Sequence, residues 1–368
     1  MAEPKCSFFG RCGGCSSQHL AYQLQLENKK KALASILGFD GVKVFHDKEY
    51  GYRNRMDFVF CPNGVGLRKK GTWDKTMQID KCVISEERLQ ALLAEVNGFF
   101  TENDAFDLRT HKGTLRYAVI RTPGQTSSIS FVLNQASPGF EDAVARIKEF
   151  ASLTTADNIV ITYTLPQTDV SSADEYSVVK GSDMLTETLM GHDFLYSVQG
   201  FFQNNTAVAG MMHEHCRSLL AAHETKGAHL LDLYCGVGTF GINNADLFKE
   251  VTIVEGYGPA IVAANKNVAA NGAKNVRPIL LDAMYLKRLE FPKPLYVITD
   301  PPRSGMHPKT IERLKELKPE SIIYISCNVE QLGKDVLKFK DYKIANATMF
   351  DLFPQTPHIE AMVELVKM

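Results

Sequence analysis

The sequence lacks several features that define whole classes of proteins. The formal net charge of its 368 residues is only −1, so the bulk basic character of many nucleic-acid-binding proteins is absent. No apolar run approaches the roughly 18 residues of a membrane-spanning helix, and the N-terminal residues contain no apolar core of a secretory signal. Internal repeats and low-complexity linkers are also missing. These absences predict a cytoplasmic, globular chain of about two domains in a reducing compartment, with no membrane association.

Positive charge is confined to short local patches. They are the lysines at 29–31, the arginines at 53 and 55, and the basic run at 68–70. Each patch alone is more typical of a solvated surface than of a binding site. Any contact with nucleic acid must nevertheless come from such patches, because the chain as a whole carries no excess of basic residues.

Cysteine, by contrast, is concentrated near the start of the chain. Cys6, Cys12 and Cys15 lie within ten residues, among glycines that let the backbone curl so that the sulfurs converge. Thiolates are soft ligands that select zinc or iron–sulfur clusters, and Cys82 is the candidate for a fourth ligand. A disulfide knot or a group of unremarkable thiols is the alternative, and the reducing compartment weighs against it.

The hydrophobic pattern changes character along the chain. Residues 1–195 predict a mixed α+β domain with a predominantly antiparallel sheet. From about residue 228, apolar runs of strand length alternate with helical stretches, which predicts a parallel, doubly wound sheet in a second domain at 196–368. The predicted strands of that sheet lie at 229–233, 251–254, 276–281, 295–299 and 321–325, with 343–349 and 361–366 completing it.

A glycine-rich turn follows the first of these strands. Asp232 stands four residues ahead of Gly236-x-Gly238, an arrangement that S-adenosylmethionine sites favour over the dinucleotide fingerprint. Such a turn alone is compatible with NAD binding or with a packing role. The next two strands, however, end in Glu255, suited to a ribose diol, and Asp282, suited to the adenine amine. Acidic groups at successive strand ends predict a crevice for S-adenosylmethionine.

The ends of the fourth and fifth strands carry the candidate chemistry. Two prolines hold Asp300 at the mouth of the crevice, and Arg303 occupies the position where amine methyltransferases commonly have an aromatic residue. Cys327 follows the fifth strand and precedes a helix, where we expect an electropositive environment to lower the thiol pKa. A buried, inert cysteine is the alternative for Cys327.

A thiol beside a methyl-donor crevice suits methylation of a pyrimidine carbon. Uracil C5 is a weak nucleophile until a thiolate adds to C6, and a base must later remove the C5 proton. Glu360 lies just ahead of the last apolar strand and is the candidate base, with His358 as its competitor.

Six motifs carry a resemblance to one family, and this resemblance covers residues 6 to 366. They read Cys6-x5-Cys12-Gly-Gly-Cys15, Phe201-Phe-Gln203-x-Asn205, Asp232-Leu-Tyr-Cys-Gly, Asp300-Pro-Pro-Arg-x-Gly, Ser326-Cys327-Asn328 and His358-x-Glu360. In combination they resemble the RNA 5-methyluridine methyltransferases. The resemblance implies a doubly wound, Rossmann-like methyltransferase sheet preceded by an α+β iron–sulfur domain that contacts RNA.

The resemblance also implies roles for individual residues. Cys327 would be the nucleophile, Glu360 the base, and Phe201 the ring that stacks on the flipped uracil. Thr239 departs from the family pattern, because relatives often have an asparagine there that contacts the cofactor. A [4Fe-4S] cluster is implied on Cys6, Cys12, Cys15 and Cys82. Contacts to S-adenosylmethionine are implied for Gln203, Tyr234, Glu255, Asp282 and Asp300.

The implied substrate is a uridine in structured RNA, either 23S ribosomal RNA or the T-loop of tRNA, with a slight preference for ribosomal RNA. Many relatives begin with a small β-barrel domain, for which the position of Cys6 leaves no room. We expect a monomer without an obligate protein partner. The alternatives are a non-catalytic iron–sulfur RNA-binding protein and a cytosine-C5 RNA methyltransferase, although cytosine enzymes usually place the nucleophile after the fourth strand.

Overall fold

The computed structural model describes residues 2–368. None of the helices in this range is long and apolar enough to cross a bilayer. The helices are α1 Tyr22–Leu37, α2 Glu87–Phe99, α3 Phe140–Leu153, α4 Thr206–Ala221, α5 Thr239–Asn243, α6 Gly258–Ala270, α7 Pro308–Leu317 and α8 Val329–Val336. The strands are β1 Lys43–Phe45, β2 Arg55–Cys61, β3 Gly64–Arg68, β4 Thr76–Gln78, β5 Leu115–Arg121, β6 Ser128–Asn134, β7 Asn158–Thr164, β8 Tyr176–Lys180, β9 Met184–Leu189, β10 His192–Ser197, β11 His229–Leu233, β12 Glu250–Glu255, β13 Val276–Leu280, β14 Leu295–Thr299, β15 Ser321–Ser326, β16 Tyr342–Phe350 and β17 Glu360–Lys367.

The chain forms two compact units, and both are discontinuous in sequence. This arrangement differs from the single boundary between residues 195 and 196 that the sequence predicted. The first unit contains the residues through Tyr22, Lys48–Thr186 and Ser197–Asn205, and the second contains Gln23–Asp47, Glu187–Tyr196 and Thr206–Met368.

The first unit is built on a seven-stranded sheet of order β4-β3-β2-β5-β6-β7-β8. Its neighbouring strands are antiparallel except for β6 and β7, which run parallel and are connected through α3. The core contains a cluster of aromatic rings, with the Phe131 centroid 5.3 Å from Phe100 and 5.5 Å from Phe150. The predicted mixed α+β unit with a mainly antiparallel sheet is therefore observed.

The second unit contains an eight-stranded sheet of order β1-β16-β17-β15-β14-β11-β12-β13. All neighbouring strands are parallel except β17, which is antiparallel to both β15 and β16. From β11 the strand order runs outward in both directions, which creates a switch point between β11 and β14. Ligands of open α/β sheets bind outside the carboxyl ends of the strands at such a point. The predicted doubly wound sheet is confirmed.

An early segment of the chain completes the edge of this second sheet. Strand β1 pairs in parallel with β16, so that Lys43 lies opposite Thr348. The preceding helix is fixed by a buried ion pair, in which Lys29 Nζ lies 2.6 Å from Asp351 Oδ1. Burial lowers the pKa of Lys29, although the Asp351 charge opposes this shift. These long-range contacts are the reason that residues 23–47 leave the first unit.

The β9–β10 hairpin is joined to the second unit by hydrogen bonds between β10 and α6. The Leu195 backbone N–H donates to Asn267 Oδ1 at 2.8 Å, and Asn267 Nδ2 donates back to the Leu195 carbonyl at 3.0 Å. The same amide nitrogen is 3.0 Å from the carbonyl oxygen of Val237. One buried asparagine thus joins the hairpin to the turn after β11.

We expect Lys29→Met to lower the free energy of unfolding by about 3–5 kcal/mol, because it leaves the buried Asp351 carboxylate without its counter-charge. The midpoint of urea unfolding, followed by circular dichroism, measures this loss. Lys30→Met is the matched control, because Lys30 is exposed on the same helix. The double variant Lys29→Met with Asp351→Leu removes both charges and should recover most of the lost free energy of unfolding. An unchanged midpoint for Lys29→Met would show that the pair is not a structural anchor.

Candidate active site

The turn after β11 exposes backbone amides at the switch point of the sheet. Tyr234, Gly236 and Gly238 have φ values of 60°, 54° and 89°, all in the left-handed region. A Cβ atom at Gly236 would meet no atom within 4 Å, so the space above this residue is open to a ligand. At Gly241, in contrast, a Cβ atom would lie 2.3 Å from Ile253 Cγ2, so that only glycine fits there.

Glu255 ties the end of β12 to this turn. Its Oε2 accepts from the Gly236 N–H at 3.0 Å, and its Oε1 accepts from the Tyr257 N–H at 2.8 Å. Asp282 follows β13 on the other side, where its exposed carboxylate accepts from the Met284 N–H at 2.9 Å. The structure therefore places Tyr234, Glu255 and Asp282 at the ends of three neighbouring strands.

The crevice is acidic and partly buried. Burial, with a smaller contribution from the negative charges of Asp300 and Glu255, raises the pKa of Asp232 to about 8. Asp232 Oδ2 accepts from the Gly241 N–H at 2.8 Å, whereas its buried Oδ1 has no hydrogen-bond partner among the described residues. Since a nearby cation would favour ionisation of these groups, the crevice suits a positively charged ligand.

Three reactive groups meet where β14, β15 and β17 adjoin. In the antiparallel register, Ser326 lies opposite Ala361, so Cys327 and Glu360 extend the same pairing by one residue. Asp300 directly follows β14, which pairs in parallel with β15. Cys327 is partly exposed, while Glu360 is buried.

The electrostatics of this group correct one prediction. The sequence suggested that the start of a helix would lower the pKa of Cys327. Burial instead raises that pKa to about 11, the carboxyl groups of Glu360 and Asp300 add to the shift, and Arg303 only partly opposes it. The helix terminus is also already occupied, because Asn328 Oδ1 accepts from the Gln331 N–H at 3.3 Å.

The two carboxyl groups are perturbed in the same direction. Burial raises the pKa of Glu360 well above its usual range, and the Asp300 charge raises it further. Burial also raises the pKa of Asp300 to about 7. Burial and their mutual proximity therefore favour the protonated forms of these groups over their charged forms.

Asp335 is a positioning residue that sequence reasoning missed. Its carboxylate is fully buried and accepts hydrogen bonds from the Tyr324 hydroxyl at 2.7 Å and from the Met306 N–H at 3.2 Å. A Cβ atom at Gly305 would lie 2.5 Å from Asp335 Oδ2, so the loop after Asp300 packs closely against α8. Two features of the sequence could have revealed this contact. Tyr324 lies within the apolar strand β15, and Asp335 lies among the apolar residues of α8.

His358 occupies a different environment from Glu360. His358 is exposed, and its ring centroid lies 6.1 Å from that of Phe353. Phe201 and Gln203, in contrast, belong to segment Ser197–Asn205 of the first unit. Phe201 is 71% exposed, and the Gly200 carbonyl before it accepts from Arg121 Nη2 at 2.5 Å. The approach of Phe201 and Gln203 to the crevice stays a prediction.

The four predicted metal ligands line one cavity of 630 Å³ in the first unit. They are Cys6, Cys12, Cys15 and Cys82. All eight cysteines are free thiols, so the alternative of a disulfide knot is not observed. Burial raises the pKa of Cys15 to about 11, and the charges of the other three thiols add to that shift. Within residues 2–368, however, no three His, Cys, Asp or Glu side chains are grouped so that they could hold a single metal ion.

The switch-point crevice and the parallel sheet with one reversed strand define a Rossmann-like α/β methyltransferase. The model of the tRNA (uracil-5-)-methyltransferase family matches residues 21–368, so the chain belongs to that family. The sequence-based prediction of an S-adenosylmethionine-dependent RNA (uracil-C5)-methyltransferase is confirmed at the level of the enzyme class.

Similar proteins extend over nearly the whole chain. An uncharacterized RNA methyltransferase of Caldanaerobacter subterraneus is 34% identical over 99% of this chain and 85% of its own length. The tRNA (uracil(54)-C(5))-methyltransferase of Pyrococcus abyssi is 33% identical, with 99% and 86% coverage. The crystal structure of that P. abyssi tRNA (uracil-54, C5)-methyltransferase in complex with S-adenosyl-L-homocysteine has a TM-score of 0.80 at 31% identity. It covers 97% of this chain and 86% of the other.

The raised thiol pKa predicts slow alkylation of Cys327 near neutral pH. Its reaction with iodoacetamide, followed by mass spectrometry of the Cys327 peptide, should accelerate about tenfold per pH unit up to about pH 11, because only the thiolate reacts. Glu360→Gln removes a neighbouring negative charge and should shift the curve to lower pH. Glu312→Gln on the exposed face of α7 is the control and should not move it. A half-maximal rate near pH 8.5 in the unaltered protein would contradict the burial argument.

Proposed function

We propose that the chain transfers a methyl group from S-adenosylmethionine to C5 of a tRNA uridine, through a covalent bond between Cys327 and C6. The observation that carries the proposal is the meeting of Cys327, Glu360 and Asp300 at three adjoining strand ends beside the crevice. A nucleophile and a neighbouring base are the two groups that methylation of a pyrimidine carbon requires.

The residues of the crevice fit S-adenosylmethionine. The open space above Gly236 admits a ligand, and Glu255 and Asp282 lie at the neighbouring strand ends. When bound there, S-adenosylmethionine supplies an electrophilic methyl group, which the activated C5 takes up as the sulfonium becomes a thioether. The residues that would hold it are Gln203, Tyr234, Glu255, Asp282 and Asp300.

The residues of the chain perform the proton and bond changes around that transfer. Burial raises the pKa of the Cys327 thiol, so the neighbouring Asp300 carboxylate must first accept its proton. The thiolate then adds to C6, and the electrons of the C5–C6 double bond move to C5 and the O4 carbonyl. After methylation, the Glu360 carboxylate removes the C5 proton, the double bond re-forms, and Sγ leaves C6 as a thiolate that takes back its proton from Asp300. Exposed Phe201 would stack on the uracil base once it is turned out of the RNA.

The relatives favour tRNA as the substrate. Both the sequence relative and the solved structure from P. abyssi are named as tRNA methyltransferases acting at uracil 54. The slight preference for ribosomal RNA drawn from the sequence has no such support. We therefore assign the T-loop uridine at position 54 of tRNA as the target of this chain.

An iron–sulfur cluster on Cys6, Cys12, Cys15 and Cys82 is the second part of the proposal. The four thiols line one cavity and act on one another electrostatically. Irons bound among them would carry positive charge and would stabilise the thiolates that burial disfavours.

We expect unmodified tRNA transcript to accept about one labelled methyl group per molecule, and Cys327→Ala to reduce this by roughly a thousandfold or more. Glu360→Gln should behave differently, because Asp300 can still accept the thiol proton, so that addition and methylation proceed, whereas release of the C5 proton needs Glu360. The RNA should remain joined to Cys327 as a slowly migrating band on a denaturing gel. RNA with 5-fluorouridine at position 54 should trap the unaltered enzyme, because fluorine cannot leave as a cation.

The controls separate the substrate from the mechanism. The double variant Cys327→Ala with Glu360→Gln should give no band, and a transcript with cytosine at position 54 should accept no methyl group. Normal turnover by Glu360→Gln would make His358 the better base. Label on 23S ribosomal RNA but not on tRNA would overturn the substrate, and the lack of any trapped adduct would overturn the covalent mechanism.

Anaerobically purified protein should be brown and contain about four irons per chain. Cys82→Ala should lose most of the colour and iron, measured by visible absorbance and elemental analysis. Cys61→Ala is the matched control, because Cys61 is buried in the same unit but does not line the cavity. A colourless protein with one zinc ion would refute the cluster and leave the methyltransferase proposal intact.

A further inference from the structure

The loop between β3 and β4 carries an exposed aromatic ring in a basic setting. Trp73 is the only tryptophan of the chain, and 65% of its surface is exposed. Lys69, Lys70 and Lys75 surround it in sequence and are also exposed. A large aromatic side chain left in solvent on a loop tip has no packing role, which points to a role in binding.

The charges of this loop are free to meet a polyanion. The ammonium groups of Lys69, Lys70 and Lys75 form no ion pair within residues 2–368, and the one acid of the loop, Asp74, is paired with Arg109. The positive charges of the three lysines are therefore not neutralised by acidic side chains of the loop.

The loop is held in a fixed shape by the side chain of Arg68. Its Nη1 donates to the Trp73 carbonyl at 2.5 Å. Its Nη2 donates to the Tyr117 hydroxyl at 2.7 Å and to Asp169 Oδ2 at 2.9 Å. Arg68 thus stabilises the conformation of the loop, and Asp169 largely neutralises its positive charge. The lysines remain available for contact with a ligand. A loop that is already ordered loses little conformational entropy on binding.

The cysteine loop supports the hairpin from its other side. The Gly13 N–H donates to the Arg68 carbonyl at 3.0 Å, and the Lys70 N–H donates to the Arg11 carbonyl at 2.8 Å. Cys12 forms an antiparallel bridge with Lys69 between these two bonds. A Cβ atom at Gly13 would lie 3.3 Å from the Arg68 carbonyl oxygen, so glycine permits this close approach.

We infer that the tip at residues 69–75 binds a single-stranded segment of the RNA substrate, with Trp73 stacked on a base and the lysines on phosphates. The inference rests on the proposed RNA methyltransferase function and adds a contact site to it. An exposed aromatic ring among cations is the arrangement that binds single strands. A protein partner fits less well, because lysine is depleted from the centres of protein–protein interfaces.

The single tryptophan makes the contact directly measurable. Titration of the full-length protein with unmodified tRNA transcript, corrected for absorbance by the RNA, should quench the tryptophan emission. Filter binding gives the affinity independently. Trp73→Ala should weaken binding about 5- to 150-fold, as expected for the loss of one stacked base, and Trp73→Phe should restore most of it. Lys70→Ala should reduce the slope of log Kd against log salt by about 0.7, and Lys148→Ala on exposed α3 should not.

The outcomes distinguish this inference from the proposed function. Unchanged emission at a tRNA concentration that saturates filter binding, or unchanged affinity of Trp73→Ala, would overturn the contact while uracil methylation by the unaltered enzyme persists. Quenching without any methylation of position 54 would overturn the proposed function and retain the contact. Quenching with weaker binding by Trp73→Ala and rescue by Trp73→Phe would establish it.

Discussion

The reversed direction of β17 is the constraint on which the candidate site depends. Every other neighbouring pair in the eight-stranded sheet is parallel, so their carboxyl ends share one edge. Because β17 runs the other way, its first residue, Glu360, lies beside the carboxyl end of β15, which Cys327 directly follows. A parallel strand in the same place would carry Glu360 to the opposite edge of the sheet. The one antiparallel strand therefore brings together an acid and a thiol that are 33 positions apart in the sequence.

The same placement gives the site its electrostatic character. Three groups that become negative on ionisation lie at adjoining strand ends, and Glu360 among them is buried. The carboxyl groups of Glu360 and Asp300 both raise the pKa of Cys327, so the thiol of the resting site is a poor nucleophile. A cation in the crevice would lower all three pKa values together. Binding of a cation in the neighbouring crevice would therefore make the Cys327 thiol easier to ionise.

Much of the second unit could be predicted from local patterns. Strands such as β14 and β15 are buried along their whole length and are mainly apolar, and Asp300 and Cys327, which follow them, were visible in the sequence. The discontinuous boundaries could not be predicted, because the pairing of β1 with β16 is a long-range contact without a local signal. The sign of the Cys327 pKa shift was also missed, because it depends on burial and on Glu360 from a distant strand. Asp335 was overlooked because a lone acid in a helix looks like a surface residue.

The parallel pairing of β1 with β16 bears on how the protein is made. Lys43 leaves the ribosome early, but its partner Thr348 is synthesised about 300 residues later. At the usual speed of translation, the first segment waits about 15 to 60 s before its place in the sheet exists. During that time the apolar side of α1, including Leu26 and Leu33, lacks the surface that later covers it. The methyltransferase sheet is therefore completed only after the last strands have been synthesised.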